Sequence, residues 1–137
     1  MIIGYTTGAF DLFHIGHLNI LKKAKERCDY LIVGVTTDEF IGLYKDSLPS
    51  IKFQDRASIV FSIKYVDRVV PQFNHDKLKQ WEEHKFNIMF VGDDWKGTKK
   101  WNIIEEQMNS VNVEVFYFER TKGISTSMIK NEIEESK

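Results

Sequence analysis

The chain has 137 residues, 42% of them hydrophobic, which suits one domain built around one core. A formal net charge of −1 argues against a nucleic-acid partner, because each contacted phosphate would need a cation. The apolar runs are only a few residues long, so none is read as spanning a bilayer, and the lone Cys28 rules out an internal disulfide and suggests a cytoplasmic home.

The opening residues carry no basic stretch followed by a long apolar one, so they read as a first strand over 2–6 and not as a signal peptide. Leu18, Leu21, Ala24 and Cys28 then recur at helical spacing, which predicts an amphipathic helix after His14. The continuous apolar run 30–35 predicts a strand buried on both faces. A short helical turn opens at Asp38, and Ile59, Val60 and Ile63 mark a further helix. A third strand covers 66–70 and stops at Pro71. Leu78 and Trp81 lie on the next helix, with Asn74 as its expected N-cap. Residues 88–91 make a fourth strand. Trp101, Ile104 and Met108 mark a helix opening near Thr98, residues 113–118 make a fifth strand, and a last helix opens at Ser125 or Thr126. Strands alternating with helices from end to end predict a single α/β domain, 1–137, with a five-stranded parallel, doubly wound, Rossmann-like sheet. Ligands in such folds bind beyond the carboxyl ends of the strands, so the loops there hold the candidate chemistry.

The loop after the first strand reads Gly8-Ala9-Phe10-Asp11-Leu12-Phe13-His14-Ile15-Gly16-His17. Two imidazoles three residues apart, a glycine that lets a ligand approach, and the N–H groups of a helix terminus describe a phosphate site. Two such histidines also suit a metal, but no third ligand follows in pattern, and His75 and His84 lie in another segment. The loop after the fifth strand reads Arg120-Thr121-Lys122-Gly123-Ile124-Ser125-Thr126-Ser127. Alone it is as readily a helix cap flanked by surface cations. Paired with the first loop, it lets two helix N-termini on neighbouring strands grip one triphosphate.

These segments together resemble the glycerol-3-phosphate cytidylyltransferase family, in the cytidylyltransferase branch of the nucleotidyltransferase superfamily. The resemblance runs through Gly8 to His17, Thr37-Asp38-Glu39-Phe40, Arg56, Tyr65-Val66-Asp67, Gly92-Asp93-Asp94-Trp95 and Arg120 to Thr126. It implies transfer of CMP from CTP to a phosphorylated small alcohol, with Mg²⁺ on the triphosphate and a homodimeric enzyme. It assigns His14, His17, Lys45 and Arg120 to catalysis. It assigns CTP contacts to Ala9, Phe10, Asp11, His14, Ile15, Gly16, His17, Asp94, Trp95, Arg120, Thr121, Gly123, Ile124, Ser125, Thr126 and Ser127, with Asp11 supporting the histidines or their loop. Lys45 and Lys77 are the candidates for the acceptor, Lys77 being equally readable as a solvated residue on a first helical turn.

The sequence departs from that family's pattern at Ala9, where threonine is common, and at Lys64 and His75, where arginine and tryptophan are typical. The loop around Lys45 also carries fewer lysines. Most of these positions concern the acceptor, so glycerol 3-phosphate is expected, with ethanolamine phosphate, choline phosphate or another polyol phosphate open. An adenylyltransferase and a silent nucleotide-binding module are the competing readings.

Overall fold

The computed structural model describes every residue except Asp46, Arg120, Lys122 and Lys137. Five strands, β1 (Ile3–Gly8), β2 (Tyr30–Thr36), β3 (Arg68–Gln72), β4 (Ile88–Gly92) and β5 (Glu114–Phe118), form one parallel sheet in the order β3-β2-β1-β4-β5. Six α-helices connect and follow them: α1 (Ile15–Glu26), α2 (Asp38–Tyr44), α3 (Phe53–Phe61), α4 (Lys77–His84), α5 (Lys99–Ser110) and α6 (Thr126–Ser136).

Alternate strand residues feed two cores, because successive side chains in a strand point to opposite faces. Leu31, Val33 and Val35 join Leu21 and Ala24 of α1 and Val60 of α3. Ile32 joins Tyr5, Met89 and the α5 residues Trp101, Ile104 and Met108 on the other face. Both faces of the sheet are therefore covered, as the apolar runs predict. None of the described helices is long and apolar enough to cross a membrane.

Three sequence readings change. Pro71 lies inside β3, opposite Val35, and does not end it. This is tolerated because β3 is an edge strand, where a missing N–H need not break a ladder. The N-cap of α4 is Asp76, whose carboxylate accepts from the Lys79 N–H at 3.1 Å, while Asn74 accepts from the Asp76 N–H. The first and last loops do not follow neighbouring strands, since β4 lies between β1 and β5. The chain runs outward through β2 and β3, then returns to lay β4 on the other side of β1. The reversal of strand order thus falls between β1 and β4, where a crevice opens.

A buried arginine fixes one wall of that crevice. Arg56 on α3 is fully buried. Its guanidinium donates to the carbonyls of Ile51, Ala9 and Thr36 at 2.7–2.8 Å and pairs with Asp38 at 2.5 Å. Asp38 in turn accepts from the Phe53 N–H. One charge so joins the first loop, the end of β2, α2 and the start of α3. Each of its three nitrogens has an acceptor, which is what makes a fully buried guanidinium tolerable.

Candidate active site

Two cavities meet above the sheet. The first, of about 290 Å³, lies among His14, Gly16, His17, Asp94 and the segment Ile124–Ser127. The second, of about 660 Å³, opens over the ends of β1 and β4 and is bordered by Lys45, His75, Lys77, Trp95 and Lys100. His17, Ile20 and Gly92 border both.

The histidine pair is set by local backbone chemistry. Phe10 and Leu12 adopt positive φ values of 53° and 49°, an uncommon conformation for residues with side chains. The turn they make tucks Asp11 inward and sets His14 as the N-cap of α1. His14 Nδ1 accepts from the Gly16 N–H at 3.0 Å, and His17 Nδ1 accepts from the His14 N–H at 3.2 Å. The two rings stack with centroids 3.8 Å apart. A Cβ at position 16 would lie 2.8 Å from His14 Cε1, so this stacking needs the glycine. The helix therefore spends two of its N–H groups on imidazoles, where the sequence had suggested that such groups were free for phosphate.

That arrangement assigns protons. A neutral imidazole has one donor and one acceptor nitrogen, and in both rings Nδ1 is the acceptor. Each Nε2 then carries the proton and is the donor offered to a ligand. Burial lowers the pKa of His14. Burial, and next the neighbouring His14, hold His17 at about 4 against an opposing pull from Asp11. Phe10 and Phe13 pack on the His17 ring at 5.3 and 5.2 Å. At neutral pH the site presents two uncharged N–H donors.

Asp11 serves a different end from a nucleotide contact. Its carboxylate accepts from the N–H groups of Ser50 and Ile51 at 2.8 and 2.9 Å and pairs with Lys130 at 3.3 Å, and it borders neither cavity. Burial alone would raise its pKa; the two N–H bonds and Lys130 outweigh that and hold it low. The Asp11 carbonyl also accepts from Thr126 Oγ1 at 2.9 Å. Asp11 thus ties the histidine loop to the segment after Lys45 and to the start of α6.

The last loop reaches across the end of β4 to the first. Asn19 of α1 donates to Thr121 Oγ1 at 3.2 Å, and Ser125 Oγ accepts from the Met128 N–H. Gly123 sits at φ +82°, a conformation that favours glycine. Thr121, Ile124, Ser125, Thr126 and Ser127 border the smaller cavity with the histidines. Arg120 and Lys122 lie outside the described residues. The Gly-Asp-Asp-Trp loop is divided: Asp94 borders the smaller cavity, and Trp95 the larger one. Ala9 and Phe10 border the larger cavity, with Phe10 buried in the core, and Ile15 is exposed.

Lys77 is not a solvated lysine. It is 6% exposed, and its ammonium reaches Thr7 Oγ1 at 3.3 Å. Burial, and next Lys100, lower its pKa to about 8. Lys45 is exposed at the end of α2 and borders the same cavity.

The cytidylyltransferase-like family model matches residues 5–132, nearly the whole chain. The chain belongs to the cytidylyltransferase-like family. Among its relatives, the glycerol-3-phosphate cytidylyltransferase of Bacillus subtilis (strain 168) is 41% identical over 93% of this chain and 94% of the relative. The ethanolamine-phosphate cytidylyltransferase of Mus musculus is 34% identical over 88% of this chain but only 30% of its own. The solved lipopolysaccharide core biosynthesis protein of Thermoplasma volcanium GSS1 superposes with a TM-score of 0.74 at 27% identity. That match covers 90% of this chain and 99% of the other. In this cytidylyltransferase-like chain, the stacked histidines border one cavity with Thr121, Ile124, Ser125, Thr126 and Ser127, and the lysines border the other.

Proposed function

We propose that the protein transfers CMP from CTP to glycerol 3-phosphate, forming CDP-glycerol and releasing pyrophosphate. The observation that carries this reading is the position of His17, which borders both a hydroxyl-lined cavity and a lysine-lined one. The triphosphate occupies the first and the acceptor phosphate the second. The near full-length likeness to the Bacillus subtilis enzyme supports glycerol 3-phosphate.

An acceptor phosphate oxygen attacks the α-phosphorus of CTP in line. A bond forms between them, and the bond from the α-phosphorus to the β-bridging oxygen breaks, leaving with the pyrophosphate. The nucleophile is already anionic, so no base has to be generated. The residues position the reactants and answer negative charge: His14 and His17 through Nε2–H, the 125–127 hydroxyls at the phosphates, Lys77 and Lys45 on the acceptor side. Among the described residues no group of three or more His, Cys, Asp or Glu side chains is placed to hold a metal. Mg²⁺ is proposed to arrive chelated by the triphosphate, whose charge it would neutralise. A cytoplasmic location belongs to the same proposal.

Pyrophosphate release with CTP and with ATP, at fixed glycerol 3-phosphate, tests the nucleotide. The expected kcat/KM is higher for CTP; an equal or higher value for ATP assigns the protein to adenylyl transfer. Glycerol 3-phosphate, ethanolamine phosphate, choline phosphate and ribitol 5-phosphate compared side by side test the acceptor. Glycerol 3-phosphate ranking tenfold or more below another, about 1.4 kcal/mol of discrimination, overturns that part alone.

A homodimer is also proposed. An apolar groove bordered by Phe53, Phe61, Val69 and Pro71 lies between α3 and the edge strand β3, with Phe61 largely exposed. Sedimentation at micromolar concentration is expected to show a dimer, and monomer alone would refute it.

A further inference from the structure

The larger cavity has a charge pattern that its own residues leave unanswered. Lys77 is the first residue of α4 and Lys100 the second of α5, and both border the cavity. A helix N-terminus is the positive end of its dipole, where acidic residues are favoured and lysines are not. Neither helix has an acidic residue in its first turn. Lys100 is close enough to push down the pKa of both Lys77 and His75, after burial in each case. No carboxylate stands among the described residues bordering the cavity. A nine-tenths buried ammonium beside a second ammonium is costly unless an anion fills the space between.

The two helices thus bring two ammonium groups to one wall, with the α5 dipole end beside Lys100, while the α4 end is answered by its Asp76 cap. A phosphate dianion answers them. A phosphate ester that carries its own ammonium a few atoms away brings a cation back to the same wall. An aromatic cage for that cation is poorly offered, since of the described tryptophans bordering the cavity only Trp95 is largely exposed. Phe40 and Tyr44 pack on His75 and on each other at 4.5–5.2 Å, and Trp101 is buried in the core. Neutral hydroxyls find partners instead: Gln72 accepts from Thr36 through Oε1, which leaves its amide N–H groups as donors.

We propose that Lys77 and Lys100 select the acceptor by charge, admitting a phosphate ester with neutral or anionic substituents and rejecting one that bears an ammonium group. Lys100 is the specificity-determining member, and the inference rests on the larger cavity being the acceptor site.

Calorimetric titration of the full chain with glycerol 3-phosphate and with ethanolamine phosphate tests it. The wild type is expected to bind glycerol 3-phosphate at least tenfold more tightly. Lys100→Glu, a change at an exposed position, is expected to cut that preference at least fivefold, and Lys100→Arg to keep it. Equal affinities in the wild type, binding of neither compound, or an unchanged preference in Lys100→Glu each overturn the proposal. Pyrophosphate release from CTP is measured separately. Release with glycerol 3-phosphate alongside an unchanged preference sinks charge selection alone. Absence of release with every acceptor sinks the nucleotidyl-transfer reading, while the binding ratio still decides the role of Lys100.

Discussion

Substituting His17 by alanine is expected to lower kcat by about 10²–10⁴, the range for a lost transition-state donor. His14→Ala should fall in the same range. Both rings offer an Nε2–H because both Nδ1 atoms already accept backbone N–H groups. The alanine variants also lose helix-capping bonds, which costs about 1 kcal/mol of stability in each case. His14→Asn separates the two effects. Asparagine is a strong N-cap, so folding is restored, but its short amide does not replace the imidazole Nε2–H, and kcat stays low. Near wild-type turnover in His17→Ala would remove the histidines from the chemistry. The pair has a pH signature as well. His17 titrates at about 4 in the folded chain, below its ordinary value of 6.5. The unfolded chain therefore binds more protons between those values, and the contribution of His17 to stability is lost as the pH falls from 6.5 towards 4.

Lys77→Met is expected to make the protein more stable and less active at once. The two side chains are similar in length, so the core need not rearrange. At pH 7 the wild type holds a buried ammonium whose pKa is lowered from 10.5 to about 8 by burial and by Lys100. Removing that charge should stabilise the fold by about 1–3 kcal/mol. The acceptor loses a charged partner, so its kcat/KM should drop about 10–100-fold while the KM for CTP changes little. The sign is checked by titration: the unfolded chain holds the Lys77 proton between pH 8 and 10.5 when the folded chain does not. Wild-type stability accordingly gains from this residue as the pH rises through that window, and the variant lacks the gain. Thermal unfolding from pH 7 to 10 and steady-state kinetics measure both. A lower melting temperature with unchanged acceptor kinetics would contradict the assignment.

Much of this was legible in the residues. The run at 30–35 announced a strand covered on both faces, and the Thr98 cap of α5 was readable because capping is local chemistry. The order of the strands was not, since nothing near β5 says that β4 will intervene. Arg56 belongs to the residues that carry the resemblance, but its structural role was not legible, since its carbonyl partners at Ala9 and Thr36 lie 47 and 20 residues away. Asp11 reads from the sequence as a support for its loop, but its partners were not legible, because Ser50, Ile51 and Lys130 reach it only through the fold. The burial of Lys77 was not readable locally, because it follows the Asp76 cap as an ordinary first-turn lysine would and is covered only by the fold.

The stacking of His14 on His17 also bears on what happens between turnovers. Two imidazoles 3.8 Å apart cannot both become cations at modest cost, and in the proposed reaction neither needs to. They lend hydrogen bonds and take no proton, so the protein that releases pyrophosphate is in the same protonation state as the one that bound CTP. No recharging step separates one cycle from the next. The same donors serve the reverse reaction, in which pyrophosphate attacks CDP-glycerol, so the direction of flux is left to the concentrations of the reactants.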